Sequence, residues 1–164
     1  MSHVPPVLFV ALTELVPDLH VHCAEPWCLL GSAAARLLGA DVDVADVDVL
    51  VSPADADTLA ALWADRRDAT HVPAGNDRFR SHFARFDFPG MPVEVMGGLE
   101  LNQGEGWQPV SPGRLILAGL NGLAVPVPSV EDQIRLFESF GRGKDLLRAK
   151  LLRALASSPQ WGED

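Results

Sequence analysis

A chain of 164 residues that is 48% apolar and 21% charged has the size and balance of one globular domain, long enough to bury a core without staples. Thirteen Lys and Arg against twenty-two Asp and Glu leave a formal charge of −9, which phosphate backbones and anionic bilayers repel, so a general nucleic-acid or membrane binder is not expected. Two cysteines, Cys23 and Cys28, are too few for a disulfide scaffold or a four-ligand zinc site, and with neither a signal-peptide pattern nor an apolar run near ~20 residues they suggest a cytoplasmic protein with free thiols.

Pro5-Pro6 opens an apolar helix that the pattern closes near Pro17. Residues 26–30 (PWCLL) read as a short buried strand ending in a Gly31-Ser32 turn. Ser32–Leu38 is helical by propensity, with Ser32 as its cap and Gly39 as its stop. Asp46–Val51 alternates cleanly: Val47, Val49 and Val51 share one strand face, Asp46 and Asp48 the other. Ser52-Pro53 starts a helix to about Arg66 that buries Ala56, Leu59, Ala60 and Trp63.

A loop over 69–80 follows, then a hairpin of 82–88 and 91–96 around Pro89-Gly90, a type II turn sequence, with Glu94 opposite in direction to Val93 and Val95. Residues 97–113 are glycine-rich and carry no period that assigns an element. Leu115–Leu117 and Leu123–Val125 flank Asn121-Gly122 as a second hairpin or two short strands. Ser129 and Asp132 cap a helix facing inward with Val130, Ile134, Phe137 and Phe140. Gly141 and Gly143 interrupt it, and Lys144 to about Leu155 forms a last helix with Leu147, Leu151 and Leu155 inward. Ser157–Asp164 is expected to fray. The pattern predicts one domain over 1–156, of α/β or α+β class: a small mixed sheet flanked by helices, with a helical C-terminus.

Three features carry chemistry. A Gly-Ser turn closes one strand, a D-x-D pair stands on the next, and Glu94 stands on a third. Strands lie about 4.8 Å apart, so if the third neighbours the second, Asp46, Asp48 and Glu94 converge. Their mutual repulsion is relieved by a divalent cation, and hard oxygen ligands suit Mg²⁺ (or Mn²⁺) with substrate phosphates. A pair of such ions could activate a hydroxyl and stabilise a departing pyrophosphate. Gly31 and Ser32, at a helix start, offer N–H groups and a hydroxyl to phosphate oxygens.

The run GSAAARLLGADVDVADVDVLV (Gly31–Val51) resembles the signature of the minimal nucleotidyltransferase superfamily, the DNA polymerase beta-like fold, which joins a Gly-Gly or Gly-Ser turn to D-x-D and a third acid on a later strand. The ending VPVPSVEDQIRLFESFGRGKDLLRAKLL (Val125–Leu152) is similar to the closing helices of its small bacterial members, with their R-x-K-D-like run. With the Glu94 strand, the resemblance covers most of residues 27–152. It implies Asp46 and Asp48 as metal ligands, Glu94 as third carboxylate or base, and Gly31 and Ser32 on the triphosphate. Arg142 or Lys144 would neutralise phosphate charge. The implied reaction moves a nucleoside monophosphate from ATP or another NTP to a hydroxyl of a small molecule or protein.

Three positions depart from the family's pattern. Val42-Asp43-Val44-Ala45 stands where many relatives place Arg and Thr, Phe137 where a lysine is common, and Arg148 where an acid often follows the K-D pair. Each loses a substrate contact rather than a metal ligand, which leaves a second reading open: a non-catalytic nucleotide- or partner-binding module, as in a two-protein system. Little chain remains for an acceptor domain, so a homodimer or partner protein could supply one.

Blander readings stand beside these. Asp46 and Asp48 could be the solvent face of an edge strand, and Glu94 an exposed strand residue, with Asp87 as alternative third acid. Asp41 and Asp43 read as loop carboxylates, His20 and His22 as surface residues. Arg142, Lys144, Arg148, Lys150 and Arg153 read as a solvated helix face or as a surface for an anion.

Overall fold

The computed structural model describes residues 4–71 and 77–157. Part of the 69–80 loop and most of the C-terminal tail anticipated above therefore lie outside the described residues. Helix α1 (Pro6–His22) leads into strand β1 (Cys28–Leu30), helix α2 (Gly31–Leu37), β2 (Val47–Val51) and α3 (Pro53–Leu62), with a 3-10 turn at Ala64–Arg66. Strands β3 (Phe79–Asp87), β4 (Pro92–Asn102), β5 (Trp107–Pro109), β6 (Leu115–Leu120) and β7 (Leu123–Pro128) follow. Helices α4 (Val130–Phe140) and α5 (Gly143–Ala156) close the chain. This is the mixed α/β architecture, with helical C-terminus, that the pattern predicts.

Four strands run in the order β1-β2-β4-β3, with β5 on the far part of β4. β1 is antiparallel to β2, β2 parallel to β4, and β4 antiparallel to β3, so the sheet is mixed. The parallel pair sets Asp48 directly beside Glu94. β6 and β7 form a separate hairpin through Asn121 and Gly122, both at positive φ, and β7 packs against β1. The sequence left 97–113 without an element; the structure continues β4 through Asn102 and adds β5.

One face of the sheet, with Val47, Val49, Val51, Ala84, Phe86, Val93 and Val95, packs under α1 and α3. On the other, Leu30, Leu50, Leu99 and Leu101 meet Leu136, Phe137 and Phe140 of α4 and Ala149 and Leu152 of α5. The tight Pro89-Gly90 turn sits against α1: Gly90 holds φ +95°, and a side chain there would run into the Val7 carbonyl. Asp55 ties α3 to the approach to β1, accepting hydrogen bonds from the Ala24 and Glu25 amides at 2.9 and 3.0 Å. The α3 cap is the expected one, with Ser52 Oγ accepting from the Asp55 amide at 3.0 Å.

Three local expectations need correction. α1 does not stop at Pro17 but runs through it to His22. Losing one helical hydrogen bond is outweighed by seating Leu15, Val16 and Leu19 in the core, all fully buried. α2 starts one residue early, at Gly31, and has no side-chain cap, so Ser32 lies inside the helix, buried. In α5, Leu147 is exposed; the buried positions are Asp145, Ala149 and Leu152, with Leu151 and Leu155 flanking the core. The reason is electrostatic: Asp145 accepts from the Arg142 amide at 3.2 Å and from the Arg142 Nε at 2.6 Å, an ion pair that turns the Asp145 face inward.

Candidate active site

β1 ends at Leu30, whose register partner is Asp48, and the chain turns there over the Asp48 carboxylate. Gly31 makes that turn at φ +66°, and a Cβ on it would stand 2.6 Å from Asp48 Oδ2. Only glycine permits both the backbone angle and the approach. Asp46 lies just before β2, and Glu94 reaches in from β4. Ligand oxygens of Asp46, Asp48 and Glu94 all lie within 4.8 Å of one another. Burial pushes the Asp48 carboxyl well above its ordinary range, the charges of Asp46 and Glu94 push it further, and Arg148 pulls it back.

The other wall comes from α4 and α5. Arg142 Nε donates to Asp145 Oδ2 at 2.6 Å and Nη2 to Oδ1 at 3.1 Å, while its guanidinium lies 5.1 Å above the Phe79 ring. Asp145 is fully buried, with Arg148 Nη1 3.9 Å from it. Lys144 and Arg148 line the same cleft. Its volume is about 490 Å³, with Gly31, Ser32, Asp46, Asp48 and Glu94 at one end and Phe79, Phe83, Phe137 and Phe140 among its apolar lining.

Residues singled out for the chemistry thus share one cleft: Asp46, Asp48, Glu94, Gly31, Ser32, Arg142 and Lys144. Phe137 and Arg148, two of the departures from the family pattern, line it as well. Others lie elsewhere. Asp87 pairs in register with Pro92 at the exposed end of β3. Asp41 pairs with Arg36 at 3.0 Å, and Asp43 is exposed. His20 Nε2 meets the Ala124 carbonyl at 2.7 Å and its ring packs on Trp27, and among the described residues neither His20 nor His22 joins a metal-like cluster. Arg153 pairs with Glu138, away from the cleft. Cys23 and Cys28 are free; burial lifts the Cys28 thiol to about 12, and burial with Asp55 lifts Cys23 to about 11, so both are poor nucleophiles.

Sequence reasoning missed two neighbours of the acids. Arg85, on β3 directly across from Glu94, donates from Nη1 to Glu94 Oε2 at 2.5 Å and approaches Asp46 at 3.7 Å. His71 Nε2 stands 3.4 Å from the same Glu94 oxygen, its ring stacked on Phe83. The signal for Arg85 was present: counting back from the Pro89-Gly90 turn places residue 85 opposite 94.

The donor set fits a divalent hard cation. Three carboxylates converge beside a glycine whose side chain would fill the approach, and the raised Asp48 carboxyl marks charge that a cation would relieve.

No family model and no curated protein sequence matches the chain. Solved structures do match it. A candidate nucleotidyltransferase of Thermotoga maritima superposes with TM-score 0.72 at 21% identity, over 94% of this chain and 96% of that one. The lincosamide antibiotic adenylyltransferase LnuA, with lincomycin bound, gives 0.59 at 12% identity, over 94% and 99%. The antibiotic-resistance factor ANT(2″)-Ia gives 0.55 at 13% identity, over 94% and 85%. These likenesses span nearly the whole of the described chain, and with the β2–β4 pairing that joins Asp48 to Glu94 they establish that it has the nucleotidyltransferase-like fold.

Proposed function

We propose that this protein is a metal-dependent nucleotidyltransferase that moves a nucleoside monophosphate from an NTP, ATP foremost, to an acceptor hydroxyl. The observation that carries the reading is the meeting of Asp46, Asp48 and Glu94 in a cleft that also holds the Gly31 turn and the Arg142, Lys144 and Arg148 cations. The adenylyl transfer named for LnuA supports ATP as donor. Asp46 and Asp48, with Glu94 beside them, would hold Mg²⁺ or Mn²⁺. When bound, the ion supplies Lewis acidity to the phosphate oxygens.

The chain's residues do the rest. Gly31 and Ser32 border the acids where the triphosphate would lie, and Arg142, Lys144 and Arg148 offset its charge from the opposite wall. Glu94 is placed to take the hydroxyl proton. The acceptor oxygen bonds to the α-phosphorus as the α–β phosphoanhydride bond breaks, and pyrophosphate leaves with the bonding pair. The acceptor is a small molecule or a protein side chain, presented by this chain, a second copy or a partner.

Pyrophosphate release from each NTP, with Mg²⁺ and cell extract as acceptor source, tests the reading. Wild type is expected to release pyrophosphate, and Glu94→Gln to lose about 10²-fold or more in turnover at nearly unchanged nucleotide affinity. Nucleotide binding without release from any acceptor mixture would make the protein a non-catalytic binding module of the same fold. Equal release by both proteins would remove Glu94 from the chemistry.

A further inference from the structure

Three converging carboxylates suggest a two-ion site, with the ions about 3.5–4 Å apart and a shared carboxylate between them. Here the third acid already has a cation. Arg85 Nη1 lies 2.5 Å from Glu94 Oε2 and 3.7 Å from Asp46 Oδ2, between the two acids a second ion would need. We propose that Arg85 stands in for that second cation, so that the cluster admits a single divalent ion, held by Asp46 and Asp48. The inference rests on the nucleotidyltransferase reading above.

Several features fix Arg85 in place. Its Cα sits in register with Glu94 across the β3–β4 ladder, so the two side chains leave the same sheet face. Its carbonyl accepts from the Asp68 amide at 2.8 Å, and its Nε stands 3.7 Å from Asp68 Oδ2. Asp68 is itself held by the Thr70 amide at 3.1 Å and hydroxyl at 2.7 Å. The Arg85 side chain is only 20% exposed, walled by acids on both edges of the guanidinium. A long surface arginine free to move would not be gripped from backbone and both ends.

The chemistry of the guanidinium makes the substitution consequential. Two unit charges at ~4 Å still interact appreciably even at high effective dielectric, and a doubly charged ion meets twice that repulsion. A guanidinium offsets the charge of Glu94 and orients it, but it is not a Lewis acid and does not activate an acceptor hydroxyl as a metal ion does. Removal of the acceptor proton then falls on the Glu94 carboxylate itself. Arg85 is accordingly a positioning residue, one that sets the ion count of the site.

The test counts ions rather than turnover. Equilibrium dialysis with Mn²⁺ and α,β-methylene-ATP gives the Mn²⁺ retained per nucleotide retained by the protein. Wild type is expected to hold one Mn²⁺ per bound nucleotide and Arg85→Met two, while Arg85→Lys, which keeps a positive charge, holds one. Arg85→Gln serves as the neutral variant if Arg85→Met gives no cooperative melt. Two Mn²⁺ per nucleotide in wild type would overturn the assignment of Arg85 and leave the nucleotidyltransferase reading standing, as would one Mn²⁺ in a folded neutral variant. Retention of neither nucleotide nor Mn²⁺ by wild type would overturn both.

Discussion

The two faces of the β1-β2-β4-β3 sheet are made from alternate residues of the same strands. Toward α1 and α3 lie Val47, Val49, Val93, Val95 and Phe86, every one buried, with Phe86 edge-on to Trp63 at 5.3 Å. Toward the cleft lie Asp48, Glu94 and Arg85, joined by ion pairs and bordered by Leu30, Leu50 and Leu99, which pack against α4 and α5. The first face is apolar throughout; the second interrupts its apolar packing with the charged cluster. Carboxylates that repel would move apart on a soft strand; fixed to strands whose reverse side is close-packed, they stay together, and burial first and the charges of Asp46 and Glu94 second raise the Asp48 carboxyl.

That division can be broken from either side. Phe86→Ala, on the packed face, should cost about 3–5 kcal/mol in chemical denaturation, because a buried aromatic leaves a cavity under α3. Asp48→Asn, one sheet face away, should leave the metal-free protein as stable or more stable by about 0.5–2 kcal/mol, while calorimetry with Mn²⁺ and nucleotide loses its binding signal. A loss of several kcal/mol in the metal-free variant would make Asp48 part of the scaffold.

The smallest effect concerns Asp55, which ties α3 to the segment leading into β1. Burial alone would push its carboxyl up, but bonds from the Ala24 and Glu25 amides and from Ser52 hold it below its ordinary value. A depressed folded value adds stability that is complete above the unfolded value of about 4 and is lost as pH falls through the folded one. Melting temperatures of wild type and Asp55→Asn should therefore differ at pH 7 and draw together below about pH 4. A gap that persists in acid would assign the effect to shape rather than charge.

Alternation made much of the site legible. Val47, Val49 and Val51 against Asp46 and Asp48 required no tertiary information, and the Pro89-Gly90 turn and the Asn121-Gly122 hairpin followed from turn chemistry. What stayed hidden depends on pairing across the chain. Arg85 could be reached only by counting register back from the Pro89-Gly90 turn, because within FRSHFARFD nothing but that pairing marks it as the neighbour of Glu94. The inward face of α5 was misjudged at Leu147 because a leucine repeat carries no record of the Arg142–Asp145 pair that sets the helix's rotation. Pro17 misled for a similar reason: propensity near the first helix is overruled by the core that Leu15, Val16 and Leu19 fill.

The parallel pairing of β2 with β4 has a consequence for how the molecule comes into being. Asp48 and Glu94 meet only across the closure that spans α3 and all of β3, a non-local pairing whose loop must be closed before the three acids share one site. Before that closure the chain carries the Asp46 and Asp48 pair apart from Glu94 and has no three-carboxylate pocket. Once the sheet has closed, a ligand that grips both strands acts on the whole folding equilibrium, adding about 2.7 kcal/mol at a concentration one hundred times its Kd. For this chain, occupancy of the cleft and persistence of the fold would then be read from the same melting curve.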